Sequence, residues 1–599
     1  MKRAIFIAAL GFLIGCGGRA RHKENNDEGR EPSDKEARVV VVDLSGGAPE
    51  ASQGGLFRLP ATRTYTGLIR ALERAAEDPL TAGVFVRIGA QGIDYARSEE
   101  LGELLERFRR KKKTVVCHAH AYTNASSWLV ARGCSRVWLS AAGSVDTVGL
   151  AAQLVHLKGL LDRLKVGVDM LHVGKYKSGG EPLTREEPSE YARTSLQSTL
   201  ASMRAAWLAG AEEGRPGRDL PKKLEQGPYG PEEAKALGLV DEVGFESEAL
   251  AEAKKLSKTQ AVSHIFGPKS KKDGGLDIGT LIRVLTGADE DGGGKPHIAV
   301  VPAEGAIGMD SSGPLDSPGI TAQALTRTLK KLGRDDSVKA VVLRIDSPGG
   351  SPLASDLIWH ELMELRKKKT VIASVGGMAA SGGYYIASGA QRIVAEHTSI
   401  VGSIGVFGGK IVLGPALHEI GVNTFTVPAS TDPGAEARAT YLSPFTPWDD
   451  ATRARVQAQM QGIYDLFVAR VAEARKMPVE KVREHAEGRI WSGDQGKERG
   501  LVDDFGGLST ALDLARKLAK LDRDTPVTVE GTKEGLFEML ALGGDASEVE
   551  IRAAVARFDE QHALLAKLPA EVRGSVGALA PLAHGENVVA ALPFAIELR

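Results

Sequence analysis

Residues Val341–Gly349 read VVLRIDSPG, and 257 positions earlier residues Val84–Gly92 read VFVRIGAQG. Each is an apolar, β-branched run that breaks into a glycine turn, the pattern of a buried strand feeding a loop. The likeness continues outward. RKKKTVV (Arg110–Val116) precedes RKKKTVI (Arg366–Ile372) by 256 positions, and the same offset pairs Ser135-Arg136-Val137 with Gln391-Arg392-Ile393 and Gly149 with Gly405. GLVDEVG (Gly238–Gly244) matches GLVDDFG (Gly500–Gly506) at an offset of 262. Matches in one order at a nearly constant spacing define a tandem repeat.

In the second copy the strand-like runs Ile298–Pro302, Ala340–Ile345 and Thr370–Val375 alternate with Ile320–Leu332 and Ser355–Lys367, whose apolar residues recur at helical spacing. That alternation predicts an α/β fold with mainly parallel, buried strands. The first repeat is placed at residues 37–262 and the second at 297–529, joined by a Gly/Lys/Asp-rich connection, 263–296. Residues 530–599 are Ala/Leu-rich and have no counterpart in the first half, so they form an appendage without an assigned role.

The bulk properties agree with a folded, multi-domain chain. Of 599 residues, 76 are basic and 77 acidic, giving a net charge of −1, which argues against a general nucleic-acid binder. Apolar residues make up 42% and charged residues 26%, close to the globular average.

The N-terminus points to export. Lys2 and Arg3 precede the apolar run Ala4–Ile14, which is shorter than the roughly 20 residues a membrane span needs. Leu13-Ile14-Gly15-Cys16 resembles a bacterial lipobox, in which residues 1–15 are removed and Cys16 carries the lipid; an ordinary signal peptide containing a cysteine is the other reading. Residues 16–36 are polar and charged and are expected to form a solvated tether. The expected product is an exported lipoprotein, membrane-anchored and facing the periplasm, on either the inner or the outer membrane. Cys117 and Cys134 match no metal spacing; sequence leaves open whether they pair.

Two glycine-rich turns in the second repeat carry the candidate chemistry. Asp346-Ser347-Pro348-Gly349-Gly350-Ser351 has the composition of an oxyanion hole, and equally that of a tight strand-to-helix turn. Met378–Tyr385, MAASGGYY, sets Ser381 among small residues with the Gly382 amide just beyond it. Ser381 is therefore a candidate nucleophile, the competing reading being a helix N-cap. No histidine stands out as its base: His360 lies in a helical stretch and His397 follows a strand end. No G-x-S-x-G elbow frames the serine, and no HExxH motif or P-loop occurs.

DSPGGS, AASGGYYIA (Ala379–Ala387), VGSIGVFGG (Val401–Gly409) and YKSGGEP (Tyr176–Pro182) together resemble the long, two-domain form of the bacterial signal peptide peptidase family, SppA or protease IV, over roughly Arg38–Leu521. The resemblance implies an α/β tandem repeat of two ClpP/crotonase-like domains and a serine endopeptidase with a Ser/Lys dyad. It assigns Ser381 as nucleophile, Lys177 as general base, Ser403 as the residue orienting that base, and the amides of Gly350 and Gly382 as the oxyanion hole. It implies no cofactor and no metal, a homo-oligomer (a tetramer) whose active sites line a cavity, and cleaved signal peptides or other hydrophobic, unfolded peptides as substrates. The long members of the family carry a membrane-spanning anchor where this chain carries the lipobox.

The repeat bears on that assignment. Shifting Ser381 back by 256 lands on Ala125 in YTNASSW (Tyr122–Trp128), and the segment matching YKSGGEP in the second repeat, VPASTDPG (Val427–Gly434), contains no lysine. Each half keeps one member of the dyad. Lys177 serves as a base only when neutral, which requires burial to bring it from about 10.4 towards roughly 7 to 8; the other reading is an exposed loop lysine such as Lys175. Two further functions stand beside the peptidase. A crotonase-like acyl-CoA enzyme would use the glycine turns for an enolate but leaves the export signal unexplained. A catalytically silent, peptide-binding scaffold lipoprotein would not need an intact Ser381 and Lys177.

Overall fold

The computed structural model describes residues 35–50, 64–89, 93–267, 294–309, 319–530 and 588–591. Cys16, the signal segment and nearly all of the tether lie outside the described residues.

The first repeat is built on β1 (Arg38–Asp43), β2 (Thr81–Ile88), β3 (Thr114–Thr123), β4 (Arg136–Asp146), β5 (Gly167–Val173), β6 (Glu242–Val243) and β7 (Val262–Phe266). All but β5 form one parallel sheet in the order β6-β4-β3-β2-β1-β7. Because β7 pairs with β1, the first repeat runs on to Phe266, past the boundary expected at 262.

The second repeat contributes β8 (His297–Glu304), β9 (Ile307–Gly308), β10 (Ile320–Thr321), β11 (Val338–Ser347), β12 (Gly349–Gly350), β13 (Thr370–Ala380), β14 (Arg392–Ala395), β15 (Ile400–Gly402), β16 (Val406–Val412), β17 (Ile490–Ser492), β18 (Asp504–Phe505) and β19 (Val527–Val529). Its main sheet runs β17-β15-β13-β11-β8-β19, with β14 between β13 and β18. The first sheet is thus rebuilt, with β2 corresponding to β11, β3 to β13 and β7 to β19, while β4 is divided into β14 and β15. A third sheet, β10-β9-β12-β20-β16-β5, joins the repeats, since β5 comes from the first and β16 from the second; β20 is Val588–Ala591.

Local signals fix the elements. Helix Pro352–Leu365 starts with Ser351 accepting from the Ala354 amide and proline in the first turn, and helix Asp450–Arg475 is capped by Asp449. The central strands are buried on both faces, as β8 and β11 show. One apolar cluster crosses the boundary, combining Val84 and Val86 of the first repeat with Ile298, Val342 and Ile372 of the second.

A buried polar network adds to that joint. Arg344 Nε donates to Glu50 Oε1 at 3.0 Å, the Tyr65 hydroxyl donates to Glu100 at 2.7 Å, and Thr398 Oγ1 donates to Glu99 at 3.1 Å. Removing Arg344 would take the shared cation from two buried carboxylates, leaving Arg97 beside Glu50 but only the neutral donors Tyr65 and Ser509 on Glu100, a loss of about 3–5 kcal/mol for a broken buried pair. Burial pushes the Glu99 carboxyl up to about 7, against the pull of His397.

Candidate active site

Ser381 stands where β13 ends and helix Gly382–Ser388 begins. Its backbone, φ 54 and ψ −115, lies outside the regions an L residue prefers, a strain of order 1–3 kcal/mol. Two hydrogen bonds hold it there: Ser381 N donates to Gly402 O at 2.7 Å and Tyr385 N donates to Ser381 O at 2.8 Å. Its side chain makes no cap hydrogen bond, so the N-cap reading does not apply. The small neighbours are needed: a Cβ on Gly383 would stand 2.7 Å from Ser347 O. That contact also brings the turn beginning at Ser347 against the start of the helix, so the two glycine turns are neighbours.

Lys177 enters from the other repeat, in the turn after β5. That turn interlocks with Glu487–Arg489. Tyr176 N donates to Glu487 O at 2.8 Å, a Cβ on Gly174 would meet the Glu487 carbonyl carbon at 2.6 Å, and one on Gly488 would meet Lys177 N at 2.5 Å. Both glycines have positive φ. The lock buries Lys177 to 2% exposure and places its Nζ 2.8 Å from Ser381 Oγ, 3.0 Å from Ser403 Oγ and 3.1 Å from Ser403 O. Among the described residues no carboxylate contacts this amine, and burial alone holds its pKa well below the ordinary lysine value. Lys175, by contrast, is exposed.

Ser403 is held at φ 53, with its N–H donating to Arg489 O at 2.8 Å, so one loop of the second repeat supports both Lys177 and Ser403. Ser381 Oγ also lies 3.4 Å from Gly405 O. Gly350 occupies β12, where a Cβ would overlap the Ile307 backbone, and Gly382 opens the helix after Ser381. His397 takes no part. Its Nδ1 lies 2.5 Å from Asp494, between the repeats. Among the described residues no His/Cys/Asp/Glu group is arranged to hold a metal ion.

Four features go beyond the sequence reading. The Glu487–Arg489 clamp and the Gly405 carbonyl carry no local signal beyond glycines, which are common in this chain. Cys117 and Cys134 form a disulfide, with Cα atoms 5.9 Å apart. The appendage contributes β20, which runs antiparallel to β12 (Gly350 opposite Ala590) and to β16 (Phe407 opposite Val589), with the Val589 side chain fully buried. A strand of the chain itself thus lies between the glycine turn and β16.

The family model of peptidase family S49 matches residues 107–260 and 363–522, once in each repeat, and a Clp protease family model matches residues 318–402. The fold is accordingly the expected one, two ClpP-like α/β repeats in tandem. The chain is 32% identical over 460 residues to the chloroplastic serine protease SPPA of Arabidopsis thaliana, covering 76% of this chain and 66% of that protein. It is 32% identical to protease 4 of Salmonella typhi (76% of this chain, 72% of the relative) and 29% identical to protease 4 of Haemophilus influenzae (77% and 74%). With that family matched in both repeats, and with the resemblance to the two-domain proteases extending over three quarters of its length, the chain belongs to peptidase family S49 and is a serine protease.

Proposed function

We propose that the chain is an endopeptidase working through a Ser381/Lys177 dyad. The observation that carries this reading is the 2.8 Å approach of a buried, carboxylate-free lysine amine to the oxygen of a strained serine. A neutral amine has one lone pair and two N–H bonds. The lone pair accepts the Ser381 hydroxyl proton, while the N–H bonds donate to the two Ser403 oxygens and fix the direction of the lone pair.

As Ser381 Oγ attacks a peptide carbonyl, its proton passes to Lys177, and the amides of Gly350 and Gly382 hold the oxyanion. The lysine then gives the proton to the leaving amine. Water, deprotonated by the same lysine, releases the acyl group and restores Ser381.

The substrate class is extended peptide, taken as an added strand between β12 and β16, where β20 lies. Its sequence, Val-Val-Ala-Ala, has the small, apolar character of a hydrophobic or signal peptide. Anchoring through lipidated Cys16 would keep the enzyme at the periplasmic face of a membrane, where such peptides are released. A homo-oligomer, a tetramer in the reading from family resemblance, would restrict access to unfolded chains.

The test is a fluorophosphonate serine probe with a hydrophobic peptide substrate. Labelling at Ser381 and turnover in the parent, both lost in Ser381→Ala, are expected; turnover surviving in Ser381→Ala would overturn the reading.

A further inference from the structure

Arg489 stands at the joint of the site without a charged partner. It lies between the Gly488 turn that seats Lys177 and β17, and its carbonyl accepts the Ser403 N–H at 2.8 Å. Its side chain is half-buried. Among the described residues its guanidinium forms no ion pair, and its buried Nε has no hydrogen-bond partner. Two aromatic rings take the place of a carboxylate: Arg489 Cζ stands 5.1 Å from the centre of the Tyr176 ring and 4.3 Å from that of Trp491. Tyr176 immediately precedes Lys177 in the first repeat, whereas Trp491 lies in β17 opposite Val401, two residues before Ser403.

The strand crossing itself does not require this arginine. At the offset of 262, Trp491 corresponds to Tyr229 and Arg489 to Gly227; at 256, Val401 corresponds to Val145 and Ser403 to Thr147. The backbones match, since Tyr229 pairs antiparallel with Val145 as Trp491 does with Val401. A side chain does not fit at the first-repeat position, because a Cβ on Gly227 would stand 2.6 Å from Thr147 O. One repeat therefore makes the crossing with glycine, and the other carries an arginine there, beside a tyrosine contributed by the opposite repeat.

We infer that Arg489 is a positioning residue for the peptidase reaction: its guanidinium, attracted by the Tyr176 and Trp491 rings, clamps the turn that carries Lys177 onto the strand crossing that holds Ser403. The other charged groups on this turn are Lys175, whose Nζ stands 5.4 Å from the Tyr176 ring, and Glu487, whose carboxylate accepts from the Lys175 N–H at 3.2 Å and the Tyr464 hydroxyl at 3.3 Å. Neither contacts the Lys177 amine. Without the clamp, the turn loosens against Glu487–Arg489 and water reaches Lys177 Nζ, so the depression that burial imposes on its pKa weakens. The inference rests on the Ser381/Lys177 reading proposed above.

The test is the pH profile of turnover of a hydrophobic peptide by the full chain. Arg489→Ala should lower kcat by roughly 5- to 30-fold, the worth of one partly desolvated cation–π contact, with KM little changed, and should move the acid limb to higher pH. Arg489→Met, which keeps the stem and removes the charge, should behave alike. Arg489→Lys keeps the charge without the planar group and should fall between Arg489→Met and the parent. Arg499→Ala removes the other guanidinium over Trp491, 3.8 Å from its centre, and should keep the parent's acid limb. Tyr176→Leu removes the clamp from the first repeat's side and should repeat the Arg489→Ala shift, which keeps the test decisive if Arg489→Ala does not fold. An acid limb unmoved in whichever of these two variants folds overturns the positioning role, even where the melting temperature falls. So does Arg489→Met with the parent's kinetics, or Arg489→Lys no better than Arg489→Met. A parent whose turnover survives Lys177→Ala overturns the dyad, and the inference with it.

Discussion

The corner after β3 and the corner after β13 occupy the same place in two copies of one fold, and only the second brings a serine to a lysine. In the first, the chain passes through Thr123 in an extended conformation, and Thr123 and Ser126 cap the next helix reciprocally. Asn124 then closes the space: its side-chain amide donates to Gly149 O at 2.9 Å, and its oxygen accepts from Val148 N at 2.9 Å. In the second, Ala380 stands at Asn124's position, and Ser381, at Ala125's, is strained and uncapped, with its hydroxyl turned to a lysine from the other repeat. The first corner satisfies its polar groups locally. The second leaves a hydroxyl for an external partner, held by neighbouring backbone.

The largest effect expected from this contrast is loss of turnover. Ser381→Ala and Lys177→Ala should each reduce peptidase activity by about 10³-fold or more, because members of a catalytic unit fail together. Lys175→Ala should retain activity. Ala125→Ser in the Ser381→Ala background should restore nothing, since no lysine answers it; measurable turnover there would break the contrast between the corners.

Next is Ser403→Ala. Losing a hydrogen bond to a buried amine is worth about 1.5–3 kcal/mol, or roughly 10- to 100-fold, in kcat with KM little changed. The acid limb of the pH profile should also move, because Ser403 is hydrogen-bonded to Lys177.

The pH dependence follows from the direction of the Lys177 shift. The base must be neutral, so activity should fall on acidification through the folded-state pKa of Lys177, which lies well below the lysine value of about 10.4. Between those two values the unfolded chain binds the extra proton, so stability contributed by this site rises with pH. Lys177→Met should therefore melt above the parent at pH 7, with the gap closing as pH approaches about 10.4. A gap independent of pH would mean that the lysine is charged in the folded protein.

Smaller still is the staple of the first repeat. Cys117 and Cys134 correspond by the offset to Ala373 and Ala390, so one repeat is cross-linked where the other packs alanine. Replacing both cysteines with serine should cost about 3 kcal/mol, the value for a loop of this length, read as earlier unfolding of the first repeat by calorimetry. Peptidase activity at 25 °C should not change. The smallest effect should come from deleting residues 588–599: removing the strand beside β12 and β16 frees the cleft and should lower KM by a few-fold.

Much of this was legible because the repeat is written twice. VVLRIDSPG and VFVRIGAQG specify paired strands and turns, and the offset sets Ser381 against Ala125 in otherwise equivalent corners. What sequence could not supply were contacts between distant positions. Lys177 and Ser403 lie 226 positions apart, and the Gly488 loop that seats Lys177 belongs to the opposite repeat. The disulfide was equally hidden, since cysteine spacing does not report Cα separation. The tail strand was missed because Val-Val-Ala-Ala in an Ala/Leu-rich stretch has neither turn signals nor alternation.

The account rests on one active site assembled from both repeats of a single chain. Co-expressing and co-purifying Ser381→Ala with Lys177→Ala chains tests it directly: every chain then lacks one member of the dyad, and turnover of the mixture should stay at the level of either variant alone. Turnover recovered towards the parent on mixing would show that Ser381 of one chain works with Lys177 of another, and would contradict the account.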